Sequence, residues 1–192
     1  MKGAKPVIDL SRADLNEAHW PQILVPPELN LSQTKLNHAQ LSAANLSKVI
    51  LTESQLCEAN LQNANLSEAT LREANLREIK APYAQFEHAD LTKANLSGYF
   101  RASLVISLKF GMVDPGRLIY TDLKRTNFQH ACLREANLAY GDLSLSNLQN
   151  ADLTGATLKG ALLDGVDLRG AIVTDEQLEQ AHSSVVFQIM PV

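Results

Sequence analysis

Residues 44–66 read ANLSKVILTESQLCEANLQNANL, and within this stretch a leucine occupies nearly every fifth position. The same spacing runs through most of the 192-residue chain in two series. The first spans positions 31–96 and is leucine except at Ala81 and Phe86, and the second spans 118–168 and is leucine except at Phe128. A period of five fits neither the 3.6 residues of a helical turn nor the two of a strand. The repeat itself must therefore set the fold.

The residue two before each leucine is small or apolar, and the residue between them is often Asn or Asp. The remaining positions are mostly polar. If leucine and the small residue face inward, the chain must turn in every repeat, and its coils stack into a solenoid. Leucine alternating with small residues fills a narrow interior. A helix is excluded because five residues advance by about 500°, which leaves no common face.

The turns should differ along the chain. Glycine stands two residues after the leucine at 155, 160, 165 and 170, where it suits the positive φ of a type II turn. Earlier repeats place charged residues there, namely Lys48, Glu53, Glu58, Glu68 and Glu78. The sequence therefore predicts type II turns toward the C-terminal end and mixed turns before it.

The motif Ala-(Asp/Asn)-Leu-X-X resembles the signature of the pentapeptide-repeat family. It occurs nearly intact at 44–46, 59–61, 64–66, 74–76, 89–91, 94–96, 136–138 and 151–153. The resemblance covers roughly residues 29–173, and with the Thr-Asp-Glu-Gln-Leu ending it looks most like cyanobacterial members. It implies an all-β fold, a right-handed quadrilateral β-helix with four repeats per coil. The 25 repeats counted then predict about six coils and a rod about 30 Å long.

Three segments depart from the period. Residues 1–30 are predicted to form an N-terminal cap or irregular first coil, with Trp20 as a plug and Pro21, Pro26 and Pro27 interrupting it. Residues 31–173 are the β-helix, broken at 97–117 by an irregular coil or a small excursion. In residues 174–192, Thr174 and Gln177 form a capping box that predicts a capping helix over about 175–182. A strand should follow at 185–190.

Composition narrows the classes of function. The net charge of −4 and the lack of a basic block argue against direct nucleic-acid binding. No segment has the length or hydropathy of a membrane span or leader. Cys57 and Cys132 fall about four coils apart, too far for a disulfide, so free thiols and a cytoplasmic location are expected.

No catalytic, cofactor-binding or metal-binding constellation is expected. The five histidines are scattered through the sequence at 19, 38, 88, 130 and 182, whereas a metal site needs convergent ligands. No phosphate-binding glycine loop occurs, because the glycines from 155 to 170 follow the turn period. The sequence therefore predicts a protein that is not an enzyme.

Two surface features are candidate sites. The irregular segment carries more apolar side chains than one coil can enclose, and these form a candidate protein interface: Tyr99, Phe100, Val105, Phe110, Met112 and Val113. The alternative is a distorted coil that packs its own aromatics. Stacked carboxylates form a candidate acidic ridge: Glu53, Glu58, Glu73 and Glu78. The alternative is a solvated face with local ion pairs.

The function predicted from these features is a non-catalytic protein-binding scaffold, a rigid rod engaging an unidentified protein partner. The apolar residues near the C-terminus leave homodimerisation through the tail open. The alternative follows from the resemblance, since some pentapeptide-repeat proteins protect DNA gyrase from quinolones by imitating DNA. On that reading the acidic ridge would act on a topoisomerase.

Overall fold

The backbone winds into a square tube in a computed structural model that describes residues 9–101 and 117–181. Parallel bridges between successive coils form four ladders. Ladder 1 comprises Asp9, Asn30, Ile50, Thr70, Asp90, Cys132, Asp152 and Ile172. Ladder 2 comprises Asp14, Lys35, Gln55, Asn75, Asn95, Asn137 and Thr157. Ladder 3 comprises His19, Gln40, Asn60, Lys80, Asp122, Asp142 and Leu162. Ladder 4 comprises Leu24, Asn45, Asn65, Gln85, Asn127, Asn147 and Asp167.

Regular elements are short because each side of the tube contributes about one bridged residue. The strands are β1 (Tyr99–Arg101), β2 (Arg117–Ile119), β3 (Thr121–Asp122) and β4 (Gly141–Asp142). β1 pairs with β2 antiparallel, and β3 pairs with β4 parallel as part of ladder 3. The helix α1 (Asp175–Glu179) follows the last coil. The all-β right-handed quadrilateral β-helix with a C-terminal helix is confirmed.

A complete repeat satisfies all five of its backbone N–H groups, as residues 61–65 illustrate. Leu61 N–H donates to the Lys80 carbonyl of the next coil at 2.7 Å, and Gln62 N–H donates to Asn60 Oδ1 at 3.1 Å. The following three donate to the carbonyls of Pro82 (3.1 Å), Leu61 (2.9 Å) and Ala44 (2.9 Å). The Asn or Asp before each leucine therefore accepts from the one N–H that neither the turn nor a neighbouring coil uses.

Every turn uses the left-handed conformation, so the expectation of mixed turns was wrong. In each described turn of the rod the third residue has φ between 54° and 72°, whether it is Gly155, Glu53 or Lys48, and Gly98, two after Leu96, lies in no turn and is not among them. The next amide donates to the leucine carbonyl, as Ala64 does to Leu61. Each square corner requires this geometry, and the buried core outweighs its cost of about 1 kcal/mol per non-glycine residue.

The interior contains the predicted leucines and small residues. The leucines at positions 31–96 of the first series and 123–158 of the second are at most 2% exposed. Phe86 and Phe128 stack on successive coils with ring centroids 5.1 Å apart. Ser and Thr replace Ala at several inward positions because their hydroxyls donate to backbone carbonyls, as Thr34 does to Leu31. Among the described residues, no buried side-chain N or O atom lacks a hydrogen-bond partner.

The coils on either side of residues 97–117 adjoin directly, and residues 102–116, where an irregular coil was one expectation, lie outside the described residues. Lys80 bridges Asp122 and Gln85 bridges Asn127, 42 residues apart where other coils are separated by 20 or 21. The extra 22 residues leave the tube between ladders 2 and 3 as an excursion whose base is β1 and β2. Leu118, assigned to the second leucine series, lies in β2 opposite Phe100, so that series enters the tube at Leu123.

The first coil is more regular than its prolines suggested. Residues Asp9 to Leu24 bridge the second coil with an offset of 21, and seven coils result rather than about six. Pro21 lies inside a turn in which Ile23 N–H donates to the Trp20 carbonyl at 3.4 Å. A turn from Pro26 to Leu29 contains the one extra residue that shifts the phase. Trp20 is partly buried against the core.

Helix α1 lies over the last coil. Thr174 caps it, and Thr174 and Gln177 form the predicted capping box. Gln177 Nε2 also donates to the carbonyls of Leu153 (2.8 Å) and Ala156 (2.7 Å). The Ala156 carbonyl, at a position that in earlier repeats accepts an N–H of the next coil, thereby has a donor although no further coil follows it in the described residues. Leu178 is buried against the core. The helix ends at Glu179, earlier than predicted, and the strand expected at 185–190 lies outside the described residues.

Candidate interaction surfaces

The four glutamates of the acidic ridge lie on two separate edges of the tube. We call the turn between ladders 1 and 2 corner 1, and number the other corners in chain order. Glu53 and Glu73 are at corner 1, and Glu58 and Glu78 at corner 2, so the two pairs border ladder 2. Several are paired: Gln33 donates to Glu53 at 3.0 Å, His38 lies 3.5 Å from Glu58, and Arg77 lies 3.7 Å from Glu78.

The excursion leaves from corner 2. Gly98 N–H donates to the Ala139 carbonyl at 2.9 Å, which is the bond that a turn residue makes in a regular repeat. Tyr99 and Phe100 of the candidate interface lie in β1. Val105, Phe110, Met112 and Val113 lie outside the described residues. Where the chain re-enters the tube, Thr121 is buried at an inward position, and its hydroxyl accepts from Glu78 N–H at 3.0 Å.

A groove of about 300 Å³ lies at the base of the excursion. Its lining combines two ridge glutamates with residues that sequence reasoning missed: Glu58, Glu78, Ile79, Lys80, Tyr120 and Asp122. The missed residues belong to coils that become neighbours only through the bridge between Lys80 and Asp122. If the 22 inserted residues are left out of the count, the five-residue period places Asp122 next to Lys80 on the following coil.

Corner 3 and ladder 4 present a second surface that the sequence did not indicate. At corner 3, Arg125 donates to the Tyr83 hydroxyl at 2.7 Å, and its guanidinium carbon lies 5.5 Å from the ring centroid. Leu145, one coil further on, is 56% exposed. The adjacent ladder 4 carries five successive side-chain amides, from Asn45 to Asn147. Two of the successive pairs are hydrogen-bonded, Asn65 to Asn45 at 3.4 Å and Asn127 to Gln85 at 3.2 Å, and the five amides form an uncharged strip.

Two of the histidines that seemed scattered are neighbours. His88 and His130 stack at corner 4 with ring centroids 4.8 Å apart and planes within 5° of parallel. They lie 42 residues apart in the sequence, and the insertion hid their common phase. Glu87 lies near this pair, with its carboxylate 3.7 Å from His88 Nε2.

The two thiols are free and lie in different environments. Burial raises the pKa of the Cys57 thiol. Cys132 Sγ is 3.3 Å from Thr92 Oγ1. Over residues 9–101 and 117–181, no set of three or more His, Cys, Asp or Glu side chains converges as metal ligands would.

A sequence model described as pentapeptide repeats matches eight copies, over residues 28–63, 59–98, 117–139, 131–170 and 146–181.

The chain belongs to the pentapeptide repeat family.

Its members are generally structural or binding scaffolds. No curated protein sequence matches this pentapeptide repeat protein.

Several solved structures of pentapeptide repeat proteins are similar to it. HetL from the cyanobacterium Nostoc sp., involved in heterocyst differentiation regulation, is 25% identical with a TM-score of 0.41, over 85% of this chain and 86% of HetL. QnrB1, a plasmid-mediated fluoroquinolone resistance protein, is 13% identical with a TM-score of 0.39, over 90% and 94%. Rfr23 from the cyanobacterium Cyanothece is 20% identical with a TM-score of 0.30, over 86% and 91%.

In the described part of this pentapeptide repeat protein, no helix has the length and hydropathy needed to cross a bilayer. The one described helix, α1, has five residues.

Proposed function

We propose that the protein is a non-catalytic scaffold of the cytoplasm that binds a protein partner through the excursion and the groove at its base. The observation that carries the proposal is the continuity of ladders 3 and 4 across the insertion. A segment that the tube does not need for its own hydrogen bonding is available to contact another molecule. Loops held by a rigid framework are common binding sites.

The groove supports the same interpretation. It places the half-buried Tyr120 and the carboxylates of Glu58, Glu78 and Asp122 beside the point where the excursion leaves the tube. Tyrosine is enriched in the centres of protein interfaces, because it buries a large area with little loss of side-chain entropy. The carboxylates would favour a partner that presents Lys or Arg to this groove.

The decisive variant removes residues 99–120. The chain then reads Leu96-Ser97-Gly98-Thr121-Asp122-Leu123, which restores the five-residue period. Gly98 would occupy the left-handed turn position, which glycine adopts without strain, and Thr121 keeps its inward position. The variant should fold with an unchanged circular dichroism spectrum and should lose a partner captured by the full chain and identified by mass spectrometry. Retained capture would show that the excursion is not the interface.

A matched pair of substitutions tests the groove. Glu58 and Glu68 both occupy left-handed turn positions with φ of 58° and 59°. Their side chains are exposed to nearly the same degree, 56% and 55%, and each carboxylate lies beside a nitrogen of the preceding coil, His38 Nδ1 for Glu58 and Lys48 Nζ for Glu68. Glu58→Lys should weaken partner binding about tenfold or more, whereas Glu68→Lys at corner 4 should not. Equal effects would place the interface elsewhere.

The DNA-mimic alternative makes a different prediction. A mimic acting on gyrase would change supercoiling, with or without a quinolone, and would depend on Glu53 and Glu73 at corner 1 as much as on Glu58 and Glu78. A supercoiling assay at micromolar protein separates the two functions. Inhibition or protection that survives removal of residues 99–120 would favour the mimic over the scaffold.

A further inference from the structure

We propose that His88 and His130 form a binding site for one borderline divalent transition-metal ion, such as Ni²⁺, Cu²⁺ or Zn²⁺, with water completing the coordination shell. The proposal rests on the stacked imidazole pair at corner 4 and is independent of the proposed function. Imidazole nitrogen is a preferred ligand for these ions. It does not suit Mg²⁺ or Ca²⁺, which prefer oxygen.

The backbone fixes the two histidines one above the other. Both occupy left-handed turn positions, with φ of 58° and 57°. His88 N–H donates to the Gln129 carbonyl at 3.0 Å, which fixes the register of the two turns. Phe86 and Phe128, two residues before each histidine, stack inside the tube and are fully buried. The spacing of the imidazoles is therefore set by the core and by the ladders.

Only the side chains need to move for an ion to bind. Metal–nitrogen bonds of about 2.0–2.1 Å place two adjacent imidazole nitrogens roughly 3 Å apart. The ring centroids are 4.8 Å apart, so each exposed ring must tilt toward the other while the turns stay in place. Exposed side chains make such rotations readily. The two turns thus present neighbouring histidines much as two adjacent strands of a sheet would.

The surroundings tolerate a bound cation. The Glu87 carboxylate, 3.7 Å from His88 Nε2, would offset part of the ion's charge. On the coil before His88, corner 4 carries Glu68, whose carboxylate pairs with Lys48 at 3.4 Å. On the coil after His130 it carries the uncharged Asn150. No cationic side chain occupies either neighbouring turn position of this corner.

The test is calorimetric titration of the tag-free full chain with NiCl₂ at pH 7.5. We expect one ion per chain, and about tenfold or greater weakening in both His88→Gln and His130→Gln. The double variant should bind Ni²⁺ no more weakly than either single variant, because the loss of one imidazole already removes bidentate coordination of the ion.

Matched variants exclude other ligands. His38→Gln alters an exposed turn histidine that pairs with Glu58, and Cys132→Ser removes the thiol nearest in sequence to His130. Neither should change the affinity. The proposal is overturned if His88→Gln and His130→Gln bind Ni²⁺ as tightly as the unaltered chain. It is equally overturned if their losses add independently, which would indicate separate one-histidine sites.

Discussion

At the scale of single residues, the Asn or Asp before each leucine determines whether a repeat is complete. Its side-chain oxygen accepts the N–H of the residue after leucine, as Asn65 does for Ser67 at 3.0 Å. Where this residue is neither Asn nor Asp, a proline can stand directly after the inward-facing residue instead, as Pro82 does after Ala81 and Pro21 after Trp20. Proline has no N–H to satisfy, so both solutions leave no unpaired donor.

Carboxylates in this position should make the protein acid-sensitive. The Arg169 guanidinium holds the pKa of Asp167 well below its usual value, and the Thr154 hydroxyl lowers the pKa of Asp152. Because the folded-state pKa values lie below the unfolded value of 3.8, their stabilisation is present above about pH 4 and is lost as the pH falls further. The thermal midpoint should therefore drop between pH 7 and pH 3.

Asparagine is the matched replacement, because it keeps the acceptor oxygen without titrating. The double variant Asp152→Asn with Asp167→Asn should show a smaller drop in thermal midpoint between pH 7 and pH 3 than the unaltered chain. Thermal scans followed by circular dichroism at the two pH values measure it. An undiminished drop in the double variant would assign the acid sensitivity to other groups.

At the scale of the coil, the volume of the interior is balanced within each turn of the tube. The fourth coil has Phe86 beside Ala81, whereas the fifth has Phe128 beside Leu123. A large residue is accommodated where a small one adjoins it, as close packing requires. The effect of each phenylalanine therefore depends on its neighbour within the coil, which is Ala81 for Phe86 and Leu123 for Phe128.

Replacing each phenylalanine by leucine tests this balance. Phe86→Leu should destabilise by about 2 kcal/mol, because Ala81 cannot fill the space, and Phe128→Leu by about 1 kcal/mol. Adding Ala81→Leu to Phe86→Leu should recover most of the loss. Urea unfolding gives the values. Equal losses in the two single variants, with no recovery, would contradict the volume argument.

Helix α1 should depend on Gln177 more than on its other polar residues. Gln177→Ala removes the capping box and both bonds to the last coil, and should lower the free energy of unfolding by about 2 kcal/mol. Glu176→Ala, at an exposed position of the same turn, is the control and should change it by less than about 0.5 kcal/mol. Urea unfolding of both variants decides whether the closing contacts stabilise the rod.

The sequence predicted most of the fold and little of the surface. Leucine spacing identified the inward residues, because only one geometry buries every fifth side chain. It missed the turns at Lys48 and Glu53, because propensity disfavours a left-handed glutamate that the closed tube nevertheless requires. It also missed the pairs His88–His130 and Lys80–Asp122, since an insertion of unknown shape hides which coils adjoin.

At the scale of the whole molecule, the rod is a one-dimensional stack in which each coil contacts only its neighbours. Removing residues 51–70 takes out one coil and joins Ile50 to Leu71 in phase. This variant should fold, because the coils on either side of the deletion then contact each other in register. Its urea midpoint should be lower, because the rod has one coil fewer. Removing 51–68 instead leaves two residues out of phase at the join, and should lower the urea midpoint further than removing 51–70. Equal midpoints in the two variants would show that the period does not govern the stability of the rod.

The direction of the hydrogen bonds has a mechanical consequence. Ladder bonds run along the long axis, so a pulling force on the chain ends would load one coil at a time and peel it away. Each ordinary coil separated from its neighbour by 20 residues would lengthen the chain by about 65 Å. The coil that contains the excursion would release 42 residues and extend by roughly twice as much. A force spectrum would thus show one oversized step among near-equal ones.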